Sequence, residues 1–186
     1  SSKVVWVMLQ PTNQWQWQLD QNRQLMLDID PSMAFTTAYC KKQLTMEVLN
    51  DTSFNLDDAA YYQELTNSLH EMGQWSTPQI VQIALNATAA HRYYKPTMPK
   101  SWFFKTNQVE LHFGLSAATD LTCLLYTEYG YARFLIIEQG ESAAVCMLLD
   151  PSLNLDEEKV MNQFEIIKVM NDRVFSCQEV RQLKYA

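Results

Sequence analysis

The chain has 186 residues, of which 47% are hydrophobic and 19% are charged, and its formal net charge is −7. A chain of this length can bury a sizeable core in one domain or in two small ones, and its composition is far from that of disordered proteins. The negative charge argues against a general affinity for nucleic acids or anionic membranes, because both are polyanions.

The cysteines and the apolar runs indicate in which compartment of the cell the protein is found. The four cysteines lie tens of residues apart and form no C-x-x-C pair, which favours buried thiols under reducing conditions. No apolar run approaches the roughly 20 residues that a membrane span needs. The N-terminus lacks the basic and then apolar layout of a signal peptide. We therefore expect a cytoplasmic protein that does not bind membranes.

The first predicted element is a small antiparallel sheet. Its apolar positions alternate with polar ones, and they are Trp15, Trp17, Leu25, Leu27 and Ile29. Period-two alternation on both sides of a polar turn at 20–23 is typical of a hairpin, to which residues 33–39 would add a third strand. Asp28 and Asp30 alternate with this apolar set, so we interpret them as the polar face of a strand rather than as a metal site.

Two helices are predicted after the sheet. The first covers residues 57–72, with Asn55 as the N-cap and Gly73 ending the helix. The second begins at a capping box over residues 76–79 and ends before Pro96, because proline cannot continue a helix. The first half of the chain therefore combines a small sheet with two helices.

The second half has the character of strands. We predict strands at 109–113, 121–126, 134–138 and 143–149, and we favour a strand over a helix for 160–174 because its central residues are β-branched. The short spacing predicts a compact antiparallel sheet or a small barrel. The predicted class is α+β, with an N-terminal α/β subdomain at residues 8–94 followed by a β-rich, barrel-like C-terminal subdomain at residues 95–186.

Positive charge is concentrated in the middle of the chain. Residues 72–109 contain no Asp or Glu and four cations, which are Arg92, Lys95, Lys100 and Lys105. Aromatic residues are interleaved with these cations, and such a surface suits an anionic, partly apolar ligand such as an acidic peptide. The alternative is a solvated loop beside core aromatics. We interpret Trp102, with Trp15 and Trp17, as structural.

Catalytic motifs are missing from the sequence. It contains no phosphate-binding glycine loop and no nucleophile elbow, and it has only four glycines. His70, His91 and His112 stand far apart, so none is predicted to be a catalytic base. We expect no catalytic residues, no metal site, no cofactor and no small-molecule substrate. The basic and aromatic segment leaves single-stranded nucleic-acid binding as the alternative, although four cations make a poor track for phosphates.

Five runs of sequence carry a resemblance to a known family. They are LMLDI from Leu25, LDDAAYY from Leu56, LNATAAHRYYKPTMPKSWFF from Leu85, ESAAVCML from Glu141 and IIKVMNDRV from Ile166. In this order they resemble the ZapC family, the Z-ring-associated proteins C of gammaproteobacterial cell division.

The resemblance implies a function and a set of binding residues. It implies a non-catalytic monomer that binds FtsZ, the tubulin-like GTPase of the division ring, bundles FtsZ polymers laterally, lowers their GTP turnover and stabilises the ring at midcell. It also implies an α/β part followed by a barrel-like part. By motif position it assigns an apolar contact to Leu27 and a basic contact to Lys95 and Lys100, and we add the neighbouring Arg92 to the predicted partner-binding residues.

Overall fold

The chain folds into two compact units. The computed structural model describes residues 8–108 and 121–177. The first unit is Ser1–Lys95 and the second is Pro96–Ala186. The described residues combine a sheet and helices in the first unit with a β-rich second unit, which confirms the predicted α+β class. The strand predicted at 109–113 lies outside the described residues.

The first unit opens with a three-stranded antiparallel sheet in the order β1-β2-β3. The strands are β1 (Gln16–Leu19), β2 (Gln24–Asp30) and β3 (Met33–Cys40). The alternate residues Leu25, Leu27 and Ile29 of β2 are buried, whereas Asp28 lies on the other face and accepts a hydrogen bond from the Gln18 side chain at 2.7 Å. The predicted hairpin, third strand and polar face are therefore confirmed.

Three helices follow the sheet within the described part of the first unit. They are α1 (Glu47–Asn50), α2 (Leu56–Met72) and α3 (Thr77–Tyr93). The Asn55 side chain accepts from the backbone N–H of Asp58, and Gly73 ends α2 with a φ of 67°, in the left-handed region that glycine favours. Both predicted helices are confirmed. Helix α1 escaped prediction because four residues are too short to show a helical period.

The buried side of the first sheet packs against the helices through large apolar side chains. Among the fully buried residues are Trp17, Leu25, Leu27, Tyr62, Leu69 and Ile80. Burial of each such side chain is worth about 1.5–3 kcal/mol. Asn86 adds a polar link, because its carbonyl oxygen accepts from Ala38 of β3 at 2.8 Å while its amide donates to Gln82 of α3 at 2.9 Å.

The second unit is built on a five-stranded antiparallel sheet in the order β10-β4-β5-β6-β9. Its strands are β4 (Thr122–Thr127), β5 (Gly130–Gln139), β6 (Ala143–Leu148), β9 (Ile166–Met170) and β10 (Phe175–Ser176). The short strands β7 (Ser152–Asn154) and β8 (Val160–Asn162) pair separately. Among the described residues the two edge strands do not pair with each other, so the sheet stays open and the expected barrel is not closed.

The ambiguous segment 160–174 contains two strands. Strand β8 is followed by Phe164, whose φ of 71° reverses the chain, and then by β9. The strand interpretation is therefore confirmed. The core of this unit lies against the five-stranded sheet and includes Phe104, Leu125, Phe134, Cys146, Leu148 and Val169. Within the described residues, no helix has the length and apolar content that a membrane crossing requires.

Candidate functional site

A pocket of about 380 Å³ lies in the first unit, where the ends of several elements meet. It is formed by the turn between β1 and β2, by the segment that leads from β3 through α1, and by Lys95, two residues after the end of α3. The lining residues are Asn22, Arg23, Cys40, Lys41, Lys42, Leu44, Thr45, Met46, Val48, Leu49 and Lys95. Lys95, one of the predicted partner-binding residues, therefore contributes to the wall of this pocket.

The pocket combines positive charge with an apolar surface. Arg23, Lys41, Lys42 and Lys95 all line it, and no Asp or Glu is among the lining residues. Its apolar residues include the buried Leu44 and Val48 together with Met46 and Leu49, which are 66% and 48% exposed. Exposed apolar side chains next to unopposed cations are suited to a ligand that carries both a carboxylate and an apolar group.

Backbone hydrogen bonds hold the pocket segments together. The N–H groups of Lys41, Thr45 and Lys95 donate to the carbonyl oxygens of Arg23, Tyr93 and Gln43 at 2.8, 2.7 and 2.9 Å. Arg23 adopts a φ of 60°, and the carboxylate of Asp20 supports this turn by accepting from the N–H groups on either side of Arg23. The cations are thus carried by an ordered backbone, which reduces the entropy lost on binding.

Arg92 is directed into the protein rather than toward a partner. Its side chain is only 6% exposed and forms an ion pair with Asp58 at 2.6 Å and with Asp51 at 3.2 Å. The guanidinium also donates to the backbone carbonyls of Asp51 and Ser53. Burial opposes the charged guanidinium, but the hydrogen bond and charge of Asp58 outweigh that effect, and the pKa of Arg92 is raised. Arg92 therefore ties the end of α3 to the segment that follows α1.

The position of Arg92 also affects the charge of the pocket. Glu47 lies between the pocket residues Met46 and Val48, and its carboxylate is 3.5 Å from Nε of Arg92. The pKa of the Asp51 carboxyl is lowered, mainly by hydrogen bonds from the hydroxyl and N–H of Ser53 and further by Arg92. Glu47 and Asp51, the acids beside the α1 part of the pocket, are therefore engaged with Arg92, and none of the lining cations forms an ion pair among the described residues.

Leu27 has no exposed surface in this structure. It is 0% exposed, and it pairs across the sheet with Trp17 of β1 and Phe35 of β3. The indole N–H of Trp17 donates to the carboxylate of Asp58 at 3.1 Å, which is the same carboxylate that pairs with Arg92. Leu27 thus packs beside a buried network rather than on a binding surface, and direct contact with a partner would require that it be uncovered.

Lys100 belongs to the second unit, whereas Lys95 belongs to the first. Its side chain is exposed, and its backbone N–H donates to the carbonyl of Lys168 on the edge strand β9 at 2.8 Å. Lys95 and Lys100, to which the resemblance assigns the basic contact, therefore lie in different units.

Trp102 is not buried, and the prediction that it is structural is wrong. It lies in a 3-10 turn over Ser101–Phe103 and is 70% exposed, whereas Trp15 and Trp17 are buried in the first unit as predicted. The structural interpretation of Trp102 relied on the general rule that large rings dominate cores. In the structure Phe104 fills that role, and Trp102 remains outside.

Sequence reasoning missed part of the pocket. Arg23, Lys41 and Lys42 lie within residues 1–71, which contain four Lys/Arg and nine Asp/Glu, so the net charge of that part does not indicate a basic site. The available signal was the pair Lys41-Lys42 followed closely by Leu44, Met46 and Leu49. That pattern shows cations and apolar residues close in sequence, but only the fold brings Lys95 to the same place.

Metal binding finds no support in the described part of the chain. No group of three or more His, Cys, Asp or Glu side chains there is arranged to hold a metal ion. The Asp30 carboxylate accepts hydrogen bonds from the hydroxyl and N–H of Ser32, each at 2.8 Å, as expected of a turn residue.

The fold and the site define a two-unit α+β protein whose first unit carries a cation-lined, apolar pocket. Residues 8–95 match the family described as Cell-division protein ZapC, N-terminal, and residues 96–180 match Cell-division protein ZapC, C-terminal. The chain therefore belongs to the ZapC family, and its role lies in cell division.

Individual relatives agree with this assignment. A protein named Cell division protein ZapC from Aeromonas hydrophila is 40% identical over 178 residues, which cover 95% of this chain and 97% of the relative. Proteins of the same name from Pseudoalteromonas translucida and Ferrimonas balearica are each 36% identical, and they cover 90% and 95% of this chain and 93% and 96% of the relatives. The similarity thus extends through both units.

Proposed function

We propose that this chain is a non-enzymatic cell division protein that binds FtsZ polymers and bundles them laterally, which stabilises the Z-ring and lowers FtsZ GTP turnover. It would act as a cytoplasmic monomer at midcell. The observation that carries the proposal is the pocket lined by Arg23, Lys41, Lys42 and Lys95 in a chain of the ZapC family.

Charge supports an acidic partner segment at this pocket. The chain as a whole carries a net charge of −7, so four cations around one pocket form a local exception. Such a patch raises the rate of encounter with an acidic surface and selects against basic ones. The apolar residues Met46 and Leu49 would then hold the bound segment, because buried apolar contact lowers the rate of dissociation.

The four predicted partner-binding residues take different roles in this proposal. Lys95 contacts the partner in the pocket, and Lys100 contributes from the second unit. Arg92 and Leu27 act indirectly, because both are buried in the first unit. Arg92 holds the chain segment that contains Glu47 and Asp51, and this positions the α1 side of the pocket.

Single-stranded nucleic-acid binding is the less favoured alternative. It needs a continuous positive track along which phosphates can lie. Arg92 is paired with acids, while Lys95 and Lys100 belong to different units. Three lysines of the middle segment are then left to contact phosphates, which is few for a chain with a net charge of −7.

The test is co-sedimentation of the purified chain with FtsZ polymers formed in GTP, together with release of phosphate. The wild-type chain is expected to pellet with the polymers, to increase their light scattering and to reduce phosphate release. The double variant Lys41→Glu, Lys95→Glu should weaken binding by about tenfold or more, equivalent to about 1.4 kcal/mol. A wild-type chain that stays in the supernatant at every polymer concentration would overturn the proposal.

Two controls separate the pocket from net charge. Lys95→Gln and Gln63→Glu each change the formal charge by the same amount, but the exposed Gln63 lies on α2 and does not line the pocket. Lys95→Gln should weaken binding and make it less sensitive to salt, because one attractive charge is lost, whereas Gln63→Glu should bind as the wild type does. Equal effects of the two variants would show that overall charge, and not this pocket, governs binding.

A further inference from the structure

The second unit displays a large aromatic side chain at its surface. Trp102 is 70% exposed and Met98 is 82% exposed, and both lie in the acid-free segment of the chain. Soluble proteins usually bury tryptophan, and exposed apolar groups that cluster on a surface often mark an interaction site. Trp102 is therefore unusual both for its residue type and for its surroundings.

The turn that carries Trp102 is held firmly in place. Arg173 donates from Nη1 to the carbonyls of Ser101 and Phe104 at 3.3 and 2.6 Å, and the Ser101 hydroxyl accepts from the N–H of Met170 at 2.8 Å. Phe104 is buried in the core of the unit directly after the turn. The exposed indole is thus carried by a backbone that is anchored on both sides, so little conformational entropy is lost when a partner covers it.

Positively charged residues flank Trp102 in the sequence. Lys100 precedes Trp102 and Lys105 follows it, and both side chains are exposed. The ion pairs found among the described residues involve Arg92 and Arg173 but neither of these lysines. Asp172 lies close to the turn, but its carboxylate pairs with Arg173 and not with either lysine.

We propose that Met98, Lys100, Trp102 and Lys105 form a second docking surface, the Trp102 surface, which binds an acidic and partly apolar segment of the FtsZ polymer. The inference rests on the proposed function, since the partner is the same polymer. Trp102 inserts between apolar side chains of the partner while the two lysines attract its carboxylates. Tryptophan at the centre of an interface, surrounded by polar residues, commonly carries much of the binding energy.

Other occupants fit these observations less well. A second copy of this chain carries the same charge of −7, which opposes close approach of two copies. A nucleic acid would stack on the indole, but two lysines give too few phosphate contacts for a chain of this charge. An acidic and partly apolar protein segment can pack against the indole with its apolar side chains and pair with the lysines through its carboxylates.

The decisive variants are Trp102→Ala and Lys100→Glu, compared with Tyr131→Ala. Tyr131 is also an aromatic residue of the second unit and is 56% exposed, so its removal is a matched control. In co-sedimentation with FtsZ polymers, Trp102→Ala should raise the dissociation constant by about tenfold or more, and Lys100→Glu should have a smaller effect that disappears at high salt. Tyr131→Ala should stay within about twofold of the wild type.

The outcomes separate this inference from the proposed function. If Trp102→Ala binds as the wild type does while the double variant Lys41→Glu, Lys95→Glu is impaired, the Trp102 surface is overturned. The proposed function is then left intact. A wild-type chain that fails to bind polymers overturns both. Loss of binding in Trp102→Ala supports the inference only if the variant keeps the circular dichroism spectrum and melting temperature of the wild type. If Trp102→Ala unfolds, Lys100→Glu is the deciding variant. Lys100→Glu that binds polymers at low salt as tightly as the wild type does overturns the inference. The inference is also overturned if the wild-type chain self-associates or binds an oligonucleotide, and Trp102→Ala abolishes that binding while polymer binding is unchanged.

Discussion

Each unit contains an arginine that binds backbone carbonyls, but the two arginines are placed differently. Arg92 of the first unit is 6% exposed and faces three acids, Glu47, Asp51 and Asp58. Arg173 of the second unit is 25% exposed, and Asp172 is its one ion-pair partner among residues 8–108 and 121–177. Arg92 fixes the segment after α1 beside the pocket, and Arg173 fixes the turn that exposes Trp102.

The difference shows what decides the role of a basic residue. Arg92 lies in the acid-free segment, yet acids from earlier in the chain surround it after folding. Lys95 and Lys100 are exposed. They hold the chain in place through their backbone N–H groups, which donate to the carbonyls of Gln43 and Lys168, so their ammonium groups need not turn inward. A planar guanidinium suits the buried, multiply bonded position, and a flexible ammonium suits the surface.

The largest expected effect is that of Arg92→Met on stability. Removing the guanidinium leaves the buried Asp58 carboxylate without its counter-ion, and breaking such a pair costs about 3–5 kcal/mol. Urea unfolding followed by circular dichroism would measure this loss. Arg173→Met is the matched change in the second unit, and it should cost only about 1–2 kcal/mol because that side chain is more exposed. Equal losses in the two variants would contradict the distinction between the two arginines.

Leu27 offers a second test of what lies inside the first unit. Leu27→Ala should destabilise the protein by about 2–5 kcal/mol, because it leaves a cavity beside Trp17 in a fully buried position. Leu27→Met preserves the volume and should cost less than about 1.5 kcal/mol. Thermal unfolding and FtsZ co-sedimentation of both variants would be compared. If Leu27→Met keeps the wild-type melting temperature but loses polymer binding, Leu27 contacts the partner directly and its indirect role is wrong.

Alkaline pH should distinguish the two units by a smaller effect. Burial raises the pKa values of four tyrosines of the first unit, which are Tyr39, Tyr61, Tyr62 and Tyr93. Above pH of about 10, the unfolded chain loses phenol protons that the folded chain retains. The folded state then binds more protons than the unfolded state, so stability falls as pH rises, by up to about 1.4 kcal/mol per pH unit for each tyrosine.

Urea unfolding between pH 9 and pH 11 measures this slope. Tyr61→Phe removes one of the titrating groups and should make the slope shallower. Tyr126→Phe is the comparison in the second unit, where burial also raises the pKa of the tyrosine but the ring is only part-buried. We expect Tyr126→Phe to change the slope of the unfolding free energy against pH less than Tyr61→Phe does. A larger change in Tyr126→Phe would contradict the expected difference between the two units.

Much of the fold could be predicted from local patterns. The alternation in β2 and the caps at Asn55 and Gly73 act over a few residues, so the sequence records them directly. Helix α1 and strand β7 are too short to show a period, and the open sheet of the second unit depends on long-range pairing. Such features are set by contacts between distant segments, which composition and spacing do not encode.

The candidate site was predicted less completely. Lys95 was predicted as a partner-binding residue and lines the pocket, but its pocket neighbours Arg23 and Lys41 come from the acidic part of the chain. The exposure of Trp102 followed from neither its type nor its neighbours, since Phe104, two residues later, is buried. Which ring enters the core depends on the turn that Arg173 anchors.

The sequence by itself determined the α+β class, the order of the main elements, the acid-free segment and the similarity to the ZapC family. These properties depend on residue type and short spacing, which can be identified without coordinates. Only the tertiary structure decided that Arg92 and Leu27 are internal, that Lys95 lines a pocket with cations from distant segments, and that Trp102 is exposed. Each of these depends on which distant residues come into contact, and that is fixed when the units fold.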